Sequence, residues 1–325
     1  MTIATIGIDI AKNVFQIHGV CADGKLLVSR QLRRGQVLPY LQKLAPCLIG
    51  LEACPGAHHW ARQIAALGHD VRLMPPQYVK PYVKRQKNDA ADAAAICEAV
   101  SRPTMRFVAI KSEEQQSVLM LHRTRELLIR QKTMLINALR AQLSEFGIKA
   151  PGGRTGLTDL VAHVEGAANR LPGLARAATL LLIGQLKEAM GRLTVLDRQI
   201  VAWHRACKAS LRLKTIMGVG AITASVIVAS VIDGRQFQNG RQFAAWLGLV
   251  PLQTSTRGKA RLGRITKWGD SCIRKLLVVS SRALIRYARG KSTPENWLAN
   301  VLARRPAKVA AVAMANKTAR ITGRC

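Results

Sequence analysis

Apolar and polar residues alternate near the start of the chain, and this pattern predicts strands. The segment TIATIGIDI ends with isoleucine at every second position, which is typical of a buried strand. NVFQIHGV and KLLVSRQL flank CADGK, where Asp-Gly is a hairpin signal. CLIGLEA and DVRLMPP predict two more strands, separated by a short helix that ends at Gly68. A hairpin followed by alternating strands and helices predicts an α/β domain over residues 1–110, with a mixed sheet and flanking helices.

The apolar spacing changes to a helical period over residues 111–207. The first stripe consists of Leu121, Leu128, Leu135, Leu139, Leu143 and Phe146. The second has one heptad position at Leu186, Leu193, Ile200 and Cys207, and the other at Ala189, Leu196 and Trp203. The stripes predict either a helical hairpin that packs on its own core or an antiparallel coiled coil that also dimerises the protein.

Residues 208–325 combine apolar helical stretches with clustered basic residues, which predicts a mainly helical region. TIMGVGAITASVIVASV resembles a helix-hairpin-helix, whose backbone N–H groups can face a phosphate; a glycine helix cap is the alternative interpretation. Further along, the candidate nucleic-acid-binding residues are Arg257, Lys259, Arg261, Arg264, Lys267, Arg274 and Lys275.

The charge of the chain is large and unevenly distributed. The sequence has 50 Lys and Arg against 18 Asp and Glu, a formal net charge of +32. Residues 211–325 hold 21 of these basic residues and only 3 of the acidic ones. Such a charge favours a polyanionic partner, either nucleic acid or an anionic membrane surface.

Other sequence features favour nucleic acid over a membrane. No run reaches the roughly 18 uninterrupted apolar residues of a membrane span, and the N-terminus lacks a signal-peptide pattern. The seven cysteines are scattered and never spaced as CxxC, which indicates reduced thiols without zinc or disulfides. We therefore expect a cytoplasmic protein, associated with the nucleoid when bound to DNA.

Four carboxylates of the first 110 residues indicate a metal site. Asp9 lies late in the first strand and Glu52 ends another, and a carboxylate among apolar residues needs a partner. Asp89 and Asp92 share a face of the helix in KNDAADAAAICEAV, where their charges repel. Bound Mg²⁺, which prefers oxygen ligands, would relieve that repulsion, and two such ions can clamp a phosphodiester. Two of these acids also have an alternative explanation when each is considered alone. Asp89 suits the first turn of a helix capped by Asn88, and Asp9 could lie at a strand end on the surface.

Several of these segments resemble a known family. IGIDIAK, GLEACPGAHHWARQ, and FAAWLGLVP followed by STRGKARLGRITKWGD look like the DEDD transposases of bacterial insertion sequences, family 110, closest to its 1111 subgroup. The similarity runs in order over nearly the whole chain. It implies an N-terminal RuvC/RNase H-like domain, a coiled-coil middle and a C-terminal transposase domain with a catalytic serine. The implied DEDD acids, which would hold Mg²⁺, are Asp9, Glu52, Asp89 and Asp92.

The resemblance also implies partners and a nucleophile. Members recombine donor and target DNA under the guidance of a structured bridge RNA, and they act as oligomers (a dimer or tetramer here) with active sites shared between subunits. Ser255 aligns with the first serine of the family's Ser-Ser/Asn-Gly-Gly-Lys, although Thr256 and Arg257 stand at the next two positions. Thr254 and Thr256 are rivals for its role. The family usually continues for an apolar turn and a tail, so we also expect a truncated or frameshifted C-terminus.

The resulting hypothesis is a transposase that cleaves and exchanges DNA strands through a serine-linked intermediate. One alternative is a RuvC-like junction resolvase, which shares the fold and the acids but needs neither the serine nor the basic last third. The other is a non-catalytic RNA-binding protein, for which the basic last third suffices.

Overall fold

The computed structural model describes residues 1–84, 88–166, 170–254, 261–289 and 297–324. The chain forms two compact units, Met1–Ser112 and Glu113–Cys325. The boundary expected at residue 207 lies inside the second unit, and the division into three domains stays a prediction. Over the described ranges, no helix has the length and apolar character needed to span a membrane.

The first unit is built on a five-stranded mixed sheet. Its strands are β1 Thr5–Ile10, β2 Val14–Val20, β3 Leu26–Arg33, β4 Leu48–Glu52 and β5 Asp70–Met74. The spatial order is β3-β2-β1-β4-β5; β1–β2 and β2–β3 are antiparallel, whereas β1–β4 and β4–β5 are parallel. The helices are α1 Val37–Leu41, α2 Ala57–Ala65, α3 Pro76–Val79 and α4 Asp89–Val100, with 3-10 turns at Arg34–Gln36 and Lys80–Tyr82. The predicted mixed sheet with flanking helices is confirmed.

Glycines in the left-handed conformation end two of these elements. Gly24 has a φ of 78° between β2 and β3, where the Cys21 N–H donates to the Lys25 carbonyl at 3.0 Å. Gly68 has a φ of 94° and follows α2. Both conformations favour glycine because they crowd a Cβ atom. The Asp-Gly hairpin and the helix end at Gly68 are therefore confirmed.

The two faces of the sheet pack against different helices. On one face, Ile8 and Leu51 belong to a core that includes Trp60 of α2. On the other face, Met74 packs with Ile96 of α4. Because successive side chains of a strand point to opposite faces, each central strand contributes to both layers.

The second unit is mainly helical, as predicted. Its helices are α5 Glu113–Ser144, α6 Gly153–Glu165, α7 Gly173–Ala206, α8 Lys208–Lys214, α9 Ala221–Ser230, α10 Gly240–Trp246, α11 Ser271–Arg289, α12 Trp297–Arg304 and α13 Ala307–Thr322. A two-stranded antiparallel hairpin pairs β6 Pro251–Gln253 with β7 Leu262–Ile265, and a 3-10 turn covers Gly234–Gln236.

The Gly-Val-Gly segment joins α8 to α9. Gly218 has a φ of 85°, and Gly220 directly precedes α9 as its N-cap residue. Gly220 is therefore a helix cap, as the alternative interpretation predicts. A phosphate contact at this segment stays a prediction.

Helices α5 and α7 pack against each other in opposite directions. Glu114, near the start of α5, accepts a hydrogen bond from Trp203 Nε1, near the end of α7, at 2.8 Å. Leu143, near the end of α5, shares a core with Ile183 in the first half of α7. The pairing within one chain accounts for both apolar stripes, and dimerisation through them stays a prediction.

Burial agrees with most of the predicted heptad positions. Leu128, Leu139, Leu143, Leu186, Ala189, Leu193 and Ile200 are all buried. Phe146 was wrongly assigned to the stripe, because α5 ends at Ser144 and Phe146 is 47% exposed. Gly147, with a φ of 74°, turns the chain there, and the Ile148 N–H donates to the Leu143 carbonyl at 3.1 Å. Cys207 was also wrongly assigned to a helical position, because α7 ends at Ala206.

A neutral histidine is buried between α5 and α9. His122 is 4% exposed, and its Nε2 lies 3.1 Å from Ser225 Oγ. Because the Ser225 hydroxyl donates to the Ile222 carbonyl at 3.0 Å, Ser225 Oγ accepts the Nε2–H bond. Burial, with a smaller contribution from Arg125, lowers the pKa of His122 to about 4, although Asp197 acts in the opposite direction.

This buried ring predicts a loss of stability in acid. The folded-state pKa of His122 is about 4 and its ordinary value is 6.5, so the unfolded chain binds the proton more readily. The contribution to stability is complete above pH 6.5 and is lost as the pH falls toward 4. We expect the free energy of unfolding to decrease by about 3 kcal/mol across that interval. Urea denaturation at a series of pH values measures the decrease.

His122→Gln should weaken this pH dependence, whereas His163→Gln, which changes an exposed histidine on α6, should leave it as in the wild type. An unchanged slope in His122→Gln would show that other groups cause the acid sensitivity.

Candidate active site

Asp9 and Glu52 lie beside each other on the two central parallel strands. The last register pair between β1 and β4 is Ile8 with Leu51, and each acid comes one residue later. Neighbouring strands are about 4.8 Å apart. Since Ile8 and Leu51 face the α2 core, both acids point to the opposite face, which α4 covers. The sequence-based placement of both acids late in their strands is confirmed.

The carboxylates of Glu52 and Asp9 both affect the pKa of the Cys54 thiol. Burial raises the pKa of Cys54, and the negative charges of Glu52 and Asp9 raise it further. The Cys54 thiol, just beyond the end of β4, is therefore close to both carboxylates.

Two glycines allow α4 to approach this face closely. A Cβ atom on Gly7 would lie 2.2 Å from the Ala93 carbonyl oxygen and 2.4 Å from the Cys97 nitrogen. A Cβ atom on Gly50 would lie 2.8 Å from Val100 Cβ. Each glycine precedes an acid by two residues and so lies on the same face as that acid. The backbone of α4 thus rests directly on β1 at Gly7, and the Val100 side chain of α4 packs against β4 at Gly50.

The contact between α4 and the central strands lies along Ala93, Cys97 and Val100. Gly7 faces Ala93 and Cys97, Gly50 faces Val100, and Cys97 Sγ lies 3.7 Å from the Thr5 carbonyl oxygen. Asp89 and Asp92 lie in the first turn of the same helix, just before Ala93.

A side-chain cap defines where α4 begins. The Ala91 N–H donates to Asn88 Oδ1 at 2.8 Å, and Asp89 and Asp92 occupy the first turn. Negative charge is favourable at a helix N-terminus. The helix, its cap and the shared face of the two aspartates are as the sequence predicts.

Asp9 and Glu52 share one end of a sheet face, and Asp89 and Asp92 lie in the first turn of the helix that covers this face. Within the residues that the structure covers, no three His, Cys, Asp or Glu side chains are grouped closely enough to hold a metal ion. The first unit thus supplies carboxylate donors on two neighbouring strands and on the helix above them, and the ligand set stays a prediction.

The predicted nucleophile falls between the strands of the β6–β7 hairpin. Ser255, with its rival Thr256 and the candidate cations Arg257 and Lys259, lies outside the described residues. The described rival, Thr254, is exposed, and its N–H donates to the Arg261 carbonyl at 3.0 Å.

The described cations of the predicted nucleic-acid surface have different environments. Arg261, Arg264 and Lys267 are exposed. Arg274 Nη1 donates to the Leu247 and Gly269 carbonyls at 2.9 and 3.1 Å, which is a structural role. Lys275 Nζ pairs with Glu126 at 2.6 Å. The first three cations are therefore the ones most available to a phosphate.

Sequence reasoning missed Gly7 and Gly50. The signal was present, because glycine inside a strand often marks the close approach of another backbone. In IGID and in LIGLE, glycine stands two residues before the acid, and this repeated spacing distinguishes both acidic strands from the others.

Comparisons with known proteins agree with this architecture. A DEDD transposase family model matches residues 6–148, and a model described as transposase IS116/IS110/IS902 family matches residues 210–295. A probable family 20 transposase of Pseudomonas aeruginosa is 48% identical, covering 99% of this chain and 96% of that protein. A transposase for insertion sequence element IS1328 of Yersinia enterocolitica is 40% identical, covering 98% and 95%. A transposase for element IS1111A of Coxiella burnetii is 39% identical, covering 98% and 88%.

The two family models and these relatives identify the chain as a transposase, a class that acts on DNA. The chain belongs to the IS110 family of insertion-sequence transposases.

The contact of α4 with Gly7 predicts a large effect from one methyl group. In Gly7→Ala the new Cβ would meet backbone atoms of α4, which cannot rotate away. We expect a loss of about 1–3 kcal/mol in the free energy of unfolding, with loss of transposition. The matched control is Gly35→Ala, because a Cβ atom there meets nothing within 4 Å. Thermal denaturation compares the two variants, and equal stabilities would contradict the close approach.

Proposed function

We propose that this transposase cuts and exchanges strands of donor and target DNA by Mg²⁺-dependent phosphoryl transfer. The ligands would be Asp9, Glu52, Asp89 and Asp92. The observation that supports the proposal is that Asp9 and Glu52 lie side by side on the sheet face covered by α4, the helix whose first turn carries Asp89 and Asp92. A set of carboxylate oxygens suits a hard divalent cation.

Different elements position the two pairs of acids. Asp9 and Glu52 extend from neighbouring strands held in register, so their separation is set by the sheet. Asp89 and Asp92 extend from a capped helix turn, so their spacing is set by the helix. When bound, Mg²⁺ would stabilise negative charge on the phosphoryl oxygens. The four side chains would hold the ion where it faces the DNA.

In the proposed reaction, Ser255 supplies the nucleophile. Its oxygen forms a bond to phosphorus while the DNA oxygen leaves and takes up the hydroxyl proton. The phosphoserine ester keeps the bond energy until a second strand's hydroxyl displaces the serine. Arg257, Lys259 and Arg261 follow Ser255 in the sequence and would offset charge on the phosphate.

The proposal includes a guide RNA and an oligomer. Both follow from the resemblance to bridge-RNA-guided recombinases, whose active sites combine two subunits. Guide pairing would choose the DNA sequence, so the protein would recognise mainly backbone shape and charge. The net basic charge of residues 211–325 supports such a role.

The metal-ligand assignment predicts that four conservative substitutions abolish strand cleavage. Asp9→Asn, Glu52→Gln, Asp89→Asn and Asp92→Asn should each lower the rate by about 10²-fold or more, because each removes a charge from the site. Binding of DNA and RNA should persist. The measurement is recombination with Mg²⁺, with and without RNA copurified from cells.

Glu98→Gln is the matched control for these variants. Glu98 lies on the same helix α4, where it pairs with Arg102 on the surface, so its loss should cost little. Full recombination by the Asp9→Asn/Asp92→Asn double variant would contradict the proposal. Cleavage of DNA strands without joining would instead favour a resolvase. Binding of nucleic acid without cleavage would favour an RNA-binding protein.

The serine assignment predicts a covalent protein–DNA adduct. Trapped reactions should yield an adduct on the peptide that contains Ser255, and Ser255→Ala should abolish it. Thr254→Val and Thr256→Val should retain it. Proteolysis and mass spectrometry locate the adduct. Its appearance on Thr254 or Thr256, or wild-type recombination by Ser255→Ala, would refute the assignment.

A further inference from the structure

A groove of about 930 Å³ lies in the second unit, between the β6–β7 hairpin and one face of α13. That volume is within the range of ligand-binding sites. Pro251, Ile265, Val309 and Val312 give it an apolar floor, and Trp297, at the start of α12, is 39% exposed beside them. Exposed apolar surface of this kind marks a binding site when polar residues surround it.

Basic side chains surround the apolar floor. They are Arg264, Lys267, Lys308, Lys317, Arg320 and Arg324. No Asp or Glu is among the described residues that line the groove. Within the described part of the chain, none of these cations forms an ion pair with a carboxylate. Their charge is therefore available to a polyanion.

Hydrogen bonds hold the walls of the groove in place. Asn316 Nδ2 of α13 donates to the Leu249 carbonyl at 3.0 Å, which ties the helix to the segment before β6. The Lys267 N–H donates to the Gly248 carbonyl at 3.0 Å. Lys267 has a φ of 60° and is the non-glycine residue with a positive φ in the described ranges. Such strain is typical of functional positions, and here it orients a cation of the groove.

An aromatic ring and a cation adjoin inside the groove. Lys317 Nζ lies over the Trp297 ring, 4.4 Å from its centre. Trp297 stays 39% exposed beside this contact, so the ring offers a stacking surface to a base and Lys317 offers a charge to its phosphate, the combination that single-strand-binding proteins use. A duplex presents its phosphates but hides the faces of its bases, so an unpaired strand fits both features.

We propose that this groove binds an unpaired DNA strand, with bases on Trp297 and the apolar floor and phosphates on the surrounding cations. The choice of DNA rests on the proposed function, because one wall consists of the two strands that precede and follow Ser255 in the sequence. Strand exchange requires unpaired DNA, and the groove would hold it during the exchange.

The test is equilibrium binding of a labelled oligothymidylate to the full-length protein, in EDTA and at about 0.15 M salt. Trp297→Ala should weaken binding roughly tenfold, the effect of losing one stacked base. Binding of duplex DNA should change much less. Trp297→Phe should restore most of the affinity. The control is Trp268→Ala, since Trp268 is 74% exposed and lies outside the groove.

A charge-matched pair of variants tests the cations. Lys308→Glu/Lys317→Glu and Arg282→Glu/Arg286→Glu change the net charge equally, but the second pair lies on α11 outside the groove. The first should weaken single-strand binding more. It should also reduce the slope of log affinity against log salt by about 0.7 per lost phosphate contact. Circular dichroism checks that each variant is folded.

Three outcomes would overturn the proposal. Trp297→Ala could bind the strand as tightly as the wild type, or the two charge variants could lose equal affinity. The matching oligouridylate could also bind more tightly and respond equally to the variants, which would assign the groove to RNA. The binding assay contains EDTA and measures no cleavage, so its result does not depend on the acids or on Ser255. Failure of the acids or of Ser255 in recombination is therefore distinguishable from failure of the groove.

Discussion

The close approach of α4 to the central strands is the constraint on which the candidate active site depends. At Gly7 the backbone of α4 rests on β1, and at Gly50 the Val100 side chain of α4 packs against β4. The position of both glycines two residues before Asp9 and Glu52 places the contact and the acids on one face. The Asn88 cap then sets where α4 begins, and Asp89 and Asp92 lie in its first turn. A larger residue at either glycine would push α4 away from the strands that carry Asp9 and Glu52.

Several carboxylates of the second unit have structural contacts. Asp270 accepts from the Ile273 N–H at 2.9 Å at the start of α11, and Asp233 accepts from the Arg235 N–H at 2.9 Å. Glu126 pairs with Lys275. Carboxylates committed in this way do not neutralise the cations of the groove, which explains how a folded helical unit keeps a strongly basic surface. For a transposase, that surface is the natural complement of DNA.

Much of the fold could be predicted from the sequence because its signals are local. Alternating isoleucines specify a strand, and the Asp-Gly turn and Gly68 specify where neighbouring elements end. The cap at Asn88 and the heptad spacing around Leu193 are likewise readable from neighbours in the chain. The same logic failed at Phe146, where Gly147 ends the helix before the stripe does. Periodicity continues in the sequence whether or not the helix does.

The sequence by itself therefore determined the elements, the mixed sheet and the four acids as candidates. Only the tertiary structure decided that β1 and β4 are neighbours in register and that α4 lies on the face carrying both acids. It also assembled the groove from β7, α12 and α13 and assigned Arg274 to backbone carbonyls. The physical reason is that a hydrophobic pattern states which face of an element is buried, but not which other element buries it. That choice depends on packing between residues far apart in the chain.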